Sequence, residues 1–315
     1  MDRRGGGRAM TRFVALRLLW FVPTLLAIYT VSFAMMRAAP GKPWETDKEM
    51  SDEAVADFKH RYYLDRPWGE GYVLTLRDLV TFRGQPSMHY RDWNTVREIL
   101  GPSFLVSVAL GTLALALSLV LGVLVGIISA VKRYTALDHL LTGTTLLGIS
   151  IPSFVVASLL LMVFAFWLRL MPAGGWGSPQ QLILPAVALA AFPSAYVARL
   201  MRNSMLDVLP AEFMRVAQCK GLSRTRVIFS HGLKNALLPV LSYVGPAAAG
   251  ILTGSFVVEK VFNIPGVGFH FVTSALNRDH PMILACVMLY SGLLLVMNLL
   301  VDVGYAWLDP RIRYD

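Results

Sequence analysis

Charge is scarce in this 315-residue chain: Asp, Glu, Lys and Arg together make up 16% of it, against about 25% in an average soluble domain. The charge that is there avoids the middle of the long apolar stretches. Arg17, Arg169, Arg199, Glu259, Lys260 and Asp302 all stand near their ends. No chain of Asp, Glu or His crosses one. That disfavours a proton-coupled carrier, because a charge at a bilayer centre costs about 2.5 kcal/mol or more and is kept only for function. Cysteine is nearly missing too. Cys219 and Cys286 stand alone, with no CxxC pair or His/Cys cluster, so no metal site is implied and a disulfide between them is not expected. The signatures HExxH, GxSxG and GxxxxGKS/T do not occur. A membrane enzyme would have no visible machinery here, and any ATP-driven step would need another chain.

Apolar residues fill the space that charge leaves. They are 55% of the chain, and its mean hydropathy is +0.55. Six apolar segments are each long enough to span a bilayer, at 13–36, 103–131, 141–168, 182–201, 237–258 and 282–308. A spanning helix needs about 20 residues, and none of these runs alternates as a barrel strand would. The fold class is therefore an all-α integral membrane protein with six transmembrane helices. The first run follows Arg3, Arg4, Arg8 and Arg12. It is longer than the roughly 7–15 residues of a signal-peptide core, so it reads as a retained first helix.

Basic and neutral loops alternate. Lys132 and Arg133 mark one basic turn. The 199–234 loop carries Arg199, Arg202, Arg215, Lys220, Arg224, Arg226 and Lys234 against Asp207 and Glu212. Positively charged loops stay in the cytoplasm, which puts both termini and this loop inside. Residues 1–12 are then a cytoplasmic extension, 37–100 an external segment, 101–308 a five-helix core and 309–315 a cytoplasmic tail. The external segment holds ten Lys/Arg and eleven Asp/Glu. Its aromatic and turn residues suggest short helices over the outer face. The net charge of +9 is accounted for by topology, without invoking nucleic acid.

Small residues recur every fourth position at Ala114, Ser118, Gly122 and Gly126, and again at Gly245, Ala249 and Thr253. Such stripes allow close helix packing. Pro152, Pro185, Pro193 and Pro246 invite kinks. Ser150, Ser153, Ser194, Ser242 and Thr253 are candidates to line a path, although helix packing explains them equally well.

The stretch EFMRVAQCKGLSRTRVIFSHGLKNALLP, residues 212–239, is polar and basic between two apolar runs. Pro210 suits the first position of a helix and Glu212 its first turn. Phe213, Val216 and Ala217 share a face at helical spacing. Gly221 suits the helix C-terminus. Ser223 can cap a second short helix, with Val227, Ile228 and His231 on one side. Two short helices around a glycine turn would make a rigid cytoplasmic knob. An amphipathic loop resting on anionic lipid is the other reading of these residues.

The pattern of Glu212, Ala217, Gly221 and Leu237-Leu238-Pro239 resembles the EAA loop of ABC importer permeases. KGL and NALLP flank the longer insert of the peptide/nickel branch. LRLLWFVPTLLAIY, YYLDRPW, GISIPSF, FNIPGVG, LNRDHP and LVDVGYAWLDPRIRY resemble the first permease subunit of oligopeptide and dipeptide importers. The resemblance covers roughly residues 16–315. TFRGQPSMHYRDW departs from it, and Phe213 and Met214 replace the two alanines that name the loop.

The resemblance implies an ABC importer type I permease fold in the bacterial cytoplasmic membrane. It implies a homologous second permease subunit, two ABC ATPase subunits, an extracytoplasmic substrate-binding protein and a peptide substrate. This chain would bind no cofactor, ATP and Mg being used by the ATPases. The loop at 206–236 would couple to an ATPase through Glu212, Phe213, Arg215, Val216, Ala217, Lys220, Gly221 and Leu222. Nickel chelates or glutathione remain alternative cargoes of the same machine. An ATP-independent channel or secondary carrier is the alternative of a different class.

Overall fold

The computed structural model describes residues 3–41, 43–44, 51–81, 85–90, 95–254 and 256–308. The C-terminal tail 309–315 and the side chains of residues 1–11, 249, 253, 254, 301 and 305–308 lie outside the described set. Among the described residues the named elements are all helical, with one isolated bridge from Pro86 to Thr95. The chain divides into two compact units. Of the described residues, one takes those up to Ser107 together with Pro265–Val296, and the other takes Val108–Ile264 together with 297–308.

In chain order, α1 is Arg3–Ala38, α2 Asp52–Arg61, α3 Trp68–Val80, α4 Val96–Val131 and α5 Ala136–Ser150. Helix α6, Ser153–Leu160, continues as a π-helical stretch Leu161–Trp167. Then come α7 Pro179–Val208, α8 Glu212–Cys219 and α9 Arg224–Val227, which runs into a π-helical Ile228–Gly232. The rest are α10 Leu233–Ala236, α11 Leu238–Gly254, α12 Phe256–Val261, α13 Val267–Leu276 and α14 His280–Leu308.

Among the described residues, four helical stretches are long and apolar enough to cross a membrane: Arg12–Ala38, Val96–Val131, Pro179–Val208 and His280–Gly304. Two bent pairs raise the number to as many as six. The 141–168 run is not one straight helix. It breaks by 109° between α5 and the Ser153–Trp167 stretch. Pro152 supplies no N–H and forces the residue before it out of the helical region; Ile151 accordingly has φ −93° and ψ 124°. The second bend, 55°, separates Arg224–Ala236 from Leu238–Leu252. Pro185 and Pro193 do not interrupt α7, which runs unbroken through both.

In the first unit α3 packs on α1. Tyr72 meets Tyr29 and Phe33 edge-on, with ring centroids 5.0 and 5.5 Å apart. The Tyr29 hydroxyl donates to the Tyr72 carbonyl at 2.9 Å. The YYLDRPW turn is held from α1: Arg37 donates to the carbonyls of Tyr63 at 2.5 Å and Leu64 at 3.3 Å. His60 sits 3.0 Å from Asp65, and that hydrogen bond holds the Asp65 carboxyl below the usual carboxylate range. Fully buried Asp279, in the LNRDHP turn, anchors the 87–89 stretch. It accepts from the Ser87 hydroxyl and, at 3.2 Å, from the His89 amide.

In the second unit the C-terminal half of the α4 stripe, Gly122 and Gly126, faces α7. Ala114 and Ser118 are fully buried. A Cβ on Gly122 would stand 2.6 Å from Val197 and 2.7 Å from the Ser194 carbonyl. The same two helices and α5 share a buried ion pair. Asp138 of α5 is 2% exposed. Arg202 of α7 reaches both its oxygens, Nε to Oδ1 at 2.9 Å and Nη2 to Oδ2 at 3.0 Å. The Ser129 hydroxyl of α4 donates to the same carboxylate, as do Thr142 at 3.3 Å and the Tyr134 amide at 3.0 Å. With five donors, no lone pair of the buried charge goes without a partner.

Candidate functional site

Helix α8 is eight residues long and leaves α7 after a three-residue turn. Its first turn carries Glu212, which suits the partial positive charge of a helix N-terminus. Pro210 does not open the helix. It lies in the turn ahead of Ala211, the N-cap residue. The inner face of α8 is Met214, 1% exposed, and Ala217, 6% exposed. These two form a small apolar cluster with Val227 of α9, bordered by Val208, Leu209, Ala211 and Leu222.

Ala217 therefore parts company with Phe213 and Val216. Steps of about 100° put residue 217 between the two faces, and the contact of Met214 with the seat pulls it inward. Phe213 and Val216 are exposed at 43% and 54%. Glu212, Arg215, Cys219, Lys220 and Gly221 are exposed with them, while Leu222 is half-buried. The outer surface of α8 is thus two apolar side chains framed by charge of both signs, on a rigid base.

Gly221 ends the helix at φ +79°, the left-handed region that glycine enters without penalty. The Ser223 hydroxyl accepts from the Arg226 amide at 3.4 Å and starts α9. Val227 and Ile228 turn inward, whereas His231 is exposed and leaves that face. The two cysteines differ in the same way: Cys219 is exposed on α8 and Cys286 buried. A maleimide is expected to label the folded chain at Cys219 alone, within minutes and at one equivalent, as peptide mass spectrometry would show. Equal labelling of Cys286 would contradict its burial.

A second feature lies at the break of the α5–α6 pair. A cavity of about 490 Å³ is lined there by Ser150, Ile151, Pro152 and Ser153, by Phe192 and Pro193 of α7, and by Tyr243, Pro246 and Gly250 of α11. Tyr243 packs on Tyr196 with ring centroids 4.3 Å apart. Three of the four prolines singled out in sequence meet at this cavity. Of the serines, Ser150 and Ser153 line it and Ser194 and Ser242 do not. The hydroxyls of Ser194 and Ser242 donate to carbonyls of their own helices, Ala191 at 2.9 Å and Leu238 at 3.1 Å. Thr253 falls among the side chains outside the described set. Phe192 and Tyr243 were not foreseen. Their apolar character on apolar helices offers no signal.

No group of three or more His, Cys, Asp or Glu able to hold a metal occurs among the described residues.

Residues 122–314 match the family model described as the binding-protein-dependent transport system inner membrane component. The oligopeptide transport system permease protein OppB of Salmonella typhimurium is 44% identical over 307 residues, covering 97% of this chain and all of that protein. The dipeptide transport system permease protein DppB of Bacillus subtilis is 40% identical over 304 residues, 96% of this chain and 98% of that one. A solved structure of the MetNI methionine ABC transporter in inward-facing conformations is similar in fold. Its TM-score is 0.51 at 15% identity, over 65% of this chain and 95% of that one.

Proposed function

The chain belongs to the family of binding-protein-dependent transport system inner membrane components, and from this we propose that it is the permease subunit of an ABC importer for oligopeptides or dipeptides. End-to-end identity of 44% with an oligopeptide permease is the observation that carries the reading. The sequence has no ATP-binding motif of its own. In this reading each bent pair is one span, so six spans cross the membrane with both termini in the cytoplasm. A homologous second permease subunit, two ATPases that use ATP and Mg, and an external substrate-binding protein complete the machine. Helix α8 docks in a cleft of an ATPase, with Phe213 and Val216 as apolar anchors and Glu212, Arg215 and Lys220 as polar contacts. Anchors of this kind carry most of an interface's energy.

The cavity at the α5–α6 break supports a path for cargo at a broken helix, where irregular backbone is tolerated in a membrane. Ser150 and Ser153 then border that path. Segment 37–100 receives the loaded binding protein on the outer face.

Transport is tested in proteoliposomes holding the co-purified complex, with ATP inside or outside and radiolabelled di-, tri- and pentapeptides as cargo. Uptake that requires both ATP and the binding protein is expected. Uptake by this chain alone without ATP would sink the importer reading in favour of a carrier. Uptake of nickel chelates or glutathione but of no other peptide would keep the machine and change the cargo.

Gly221 gives a sharper check. Nothing lies within 4 Å of where its Cβ would stand, so the demand is on backbone conformation alone. Gly221→Asn, which tolerates the left-handed region, is expected to keep near-normal uptake. Gly221→Val should cost about 1–2 kcal/mol in that conformation and re-aim α9 against α8. Uptake should fall while the chain still reaches the membrane. Equal uptake by the two variants would remove the turn from the coupling mechanism.

A further inference from the structure

We propose that the Asp138–Arg202 pair is a positioning clamp that carries movement of α8 through α7 into the broken α5–α6 span. The inference rests on the reading of α8 as the ATPase-docking element.

The geometry supplies each link. Val208 and Leu209, at the end of α7, pack against the inner face of α8 with Met214, Ala217 and Val227. A push on α8 is therefore a push on the end of α7. Just under two turns back along α7, the Arg202 guanidinium forks onto both oxygens of Asp138 at 2.9 and 3.0 Å. A bidentate fork fixes direction as well as distance, which a point charge does not. Asp138 sits in the first turn of α5. From there α5 runs as one helix to Ser150, about 18 Å at 1.5 Å per residue, and ends at the 109° break that borders the cavity. Arg202 also donates to the Ser129 hydroxyl of α4 at 3.0 Å, so the clamp ties α4 to the other two helices.

A purely stabilising role explains this poorly. The pair's neighbours in sequence on α4 and α7 belong to an apolar cluster: Ile127, Ala130, Val197, Met201 and Met205 are buried with Ile228, Ala236 and Val240. Hydrophobic residues of similar volume often serve stability as well as an ion pair does, so the charge itself is not what packing requires here. An ion pair adds an orientation that either holds or is lost, and coupling between distant sites needs such a two-state element.

The test uses the whole reconstituted complex and measures ATP hydrolysis and peptide uptake in the same vesicles. Arg202→Lys keeps the charge and removes the fork. The double variant Asp138→Asn/Arg202→Met nearly keeps the volume, leaves an acceptor for the Ser129, Thr142 and Tyr134 donors, and removes both charges. Both are expected to assemble with the ATPases and to hydrolyse ATP near the wild-type rate. Peptide moved per ATP should fall about tenfold or more, in the range usual for coupling between sites. An unchanged ratio of uptake to hydrolysis in either assembled variant would overturn the clamp. So would failure of Arg202→Lys to assemble, because the pair would then be a folding determinant. The reading of α8 fails by a different signature, normal ATPase recovery with Phe213→Asp, so the two failures are told apart.

Discussion

Phe213→Asp is expected to strip the ATPase subunits from the complex while the chain itself stays folded in the membrane. Phe213 is 43% exposed and Val216, its neighbour one turn on, 54%. Neither belongs to the buried seat of Met214, Ala217 and Val227, so a carboxylate at 213 meets solvent in the free chain and costs the fold little. In the docked state the same carboxylate would be driven into an apolar cleft. Loss of a central aromatic anchor typically weakens an interface by about 2–4 kcal/mol, which is roughly 30- to 1,000-fold in affinity. A buried, unpaired charge adds to that. A tagged pull-down from gently solubilised membranes should recover the second permease in normal amount and little ATPase, and ATP-driven uptake should be lost. Arg215→Ala, at an exposed polar position, should change recovery far less, since rim charges contribute little. Full ATPase recovery with Phe213→Asp would mean that α8 does not dock where the reading has it.

The seat under Phe213 also shows where sequence stops being informative. The polar stretch between two apolar runs was legible as two short helices around Gly221, because Gly, Ser and a short apolar period are local signals. The inward turn of Ala217 was not, because a residue between two faces is assigned by its neighbour, and Met214 is decided by contact with Val227. The family-like motifs lie where the chain changes direction. GISIPSF holds the 109° break. FNIPGVG holds Asn263 at φ +51° and the Phe262 carbonyl that takes the Gly175 amide at 2.8 Å. LNRDHP holds Asp279, the buried anchor of the 87–89 stretch. Hydropathy found the apolar segments but has no direction in it, so a run with a right-angle break reads like a straight span. The Asp138–Arg202 pair is 64 residues apart in sequence. Two opposite charges at the ends of neighbouring apolar runs were the only local hint of it. The hydroxyls of Ser150, Ser194 and Ser242 each donate to their own helix, which is why composition could not sort path from packing.

Gly126→Val is expected to cost the most stability of any single change considered. A Cβ there would stand 2.6 Å from the Ala198 carbonyl, 2.6 Å from Met201 Cβ and 3.0 Å from the Arg202 amide. These are backbone or backbone-near atoms of α7, with no flexible side-chain end to give way. Helices α4 and α7 would have to separate, and overpacking of this kind typically costs about 1–3 kcal/mol, more where the backbone must move. The separation would act on the Arg202 backbone itself, and so on the fork to Asp138. Gly143 of α5 is the contrasting site: nothing lies within 4 Å of its Cβ position. There Gly143→Ala should gain about 0.5–1 kcal/mol, the usual helical preference. Thermal unfolding of the purified complex in detergent, with chain abundance in membranes, reads both. The midpoint should drop for Gly126→Val and hold or rise for Gly143→Ala. A wild-type midpoint for Gly126→Val would mean that α4 and α7 are not packed backbone to backbone, and the basis for a clamp between them would go with it.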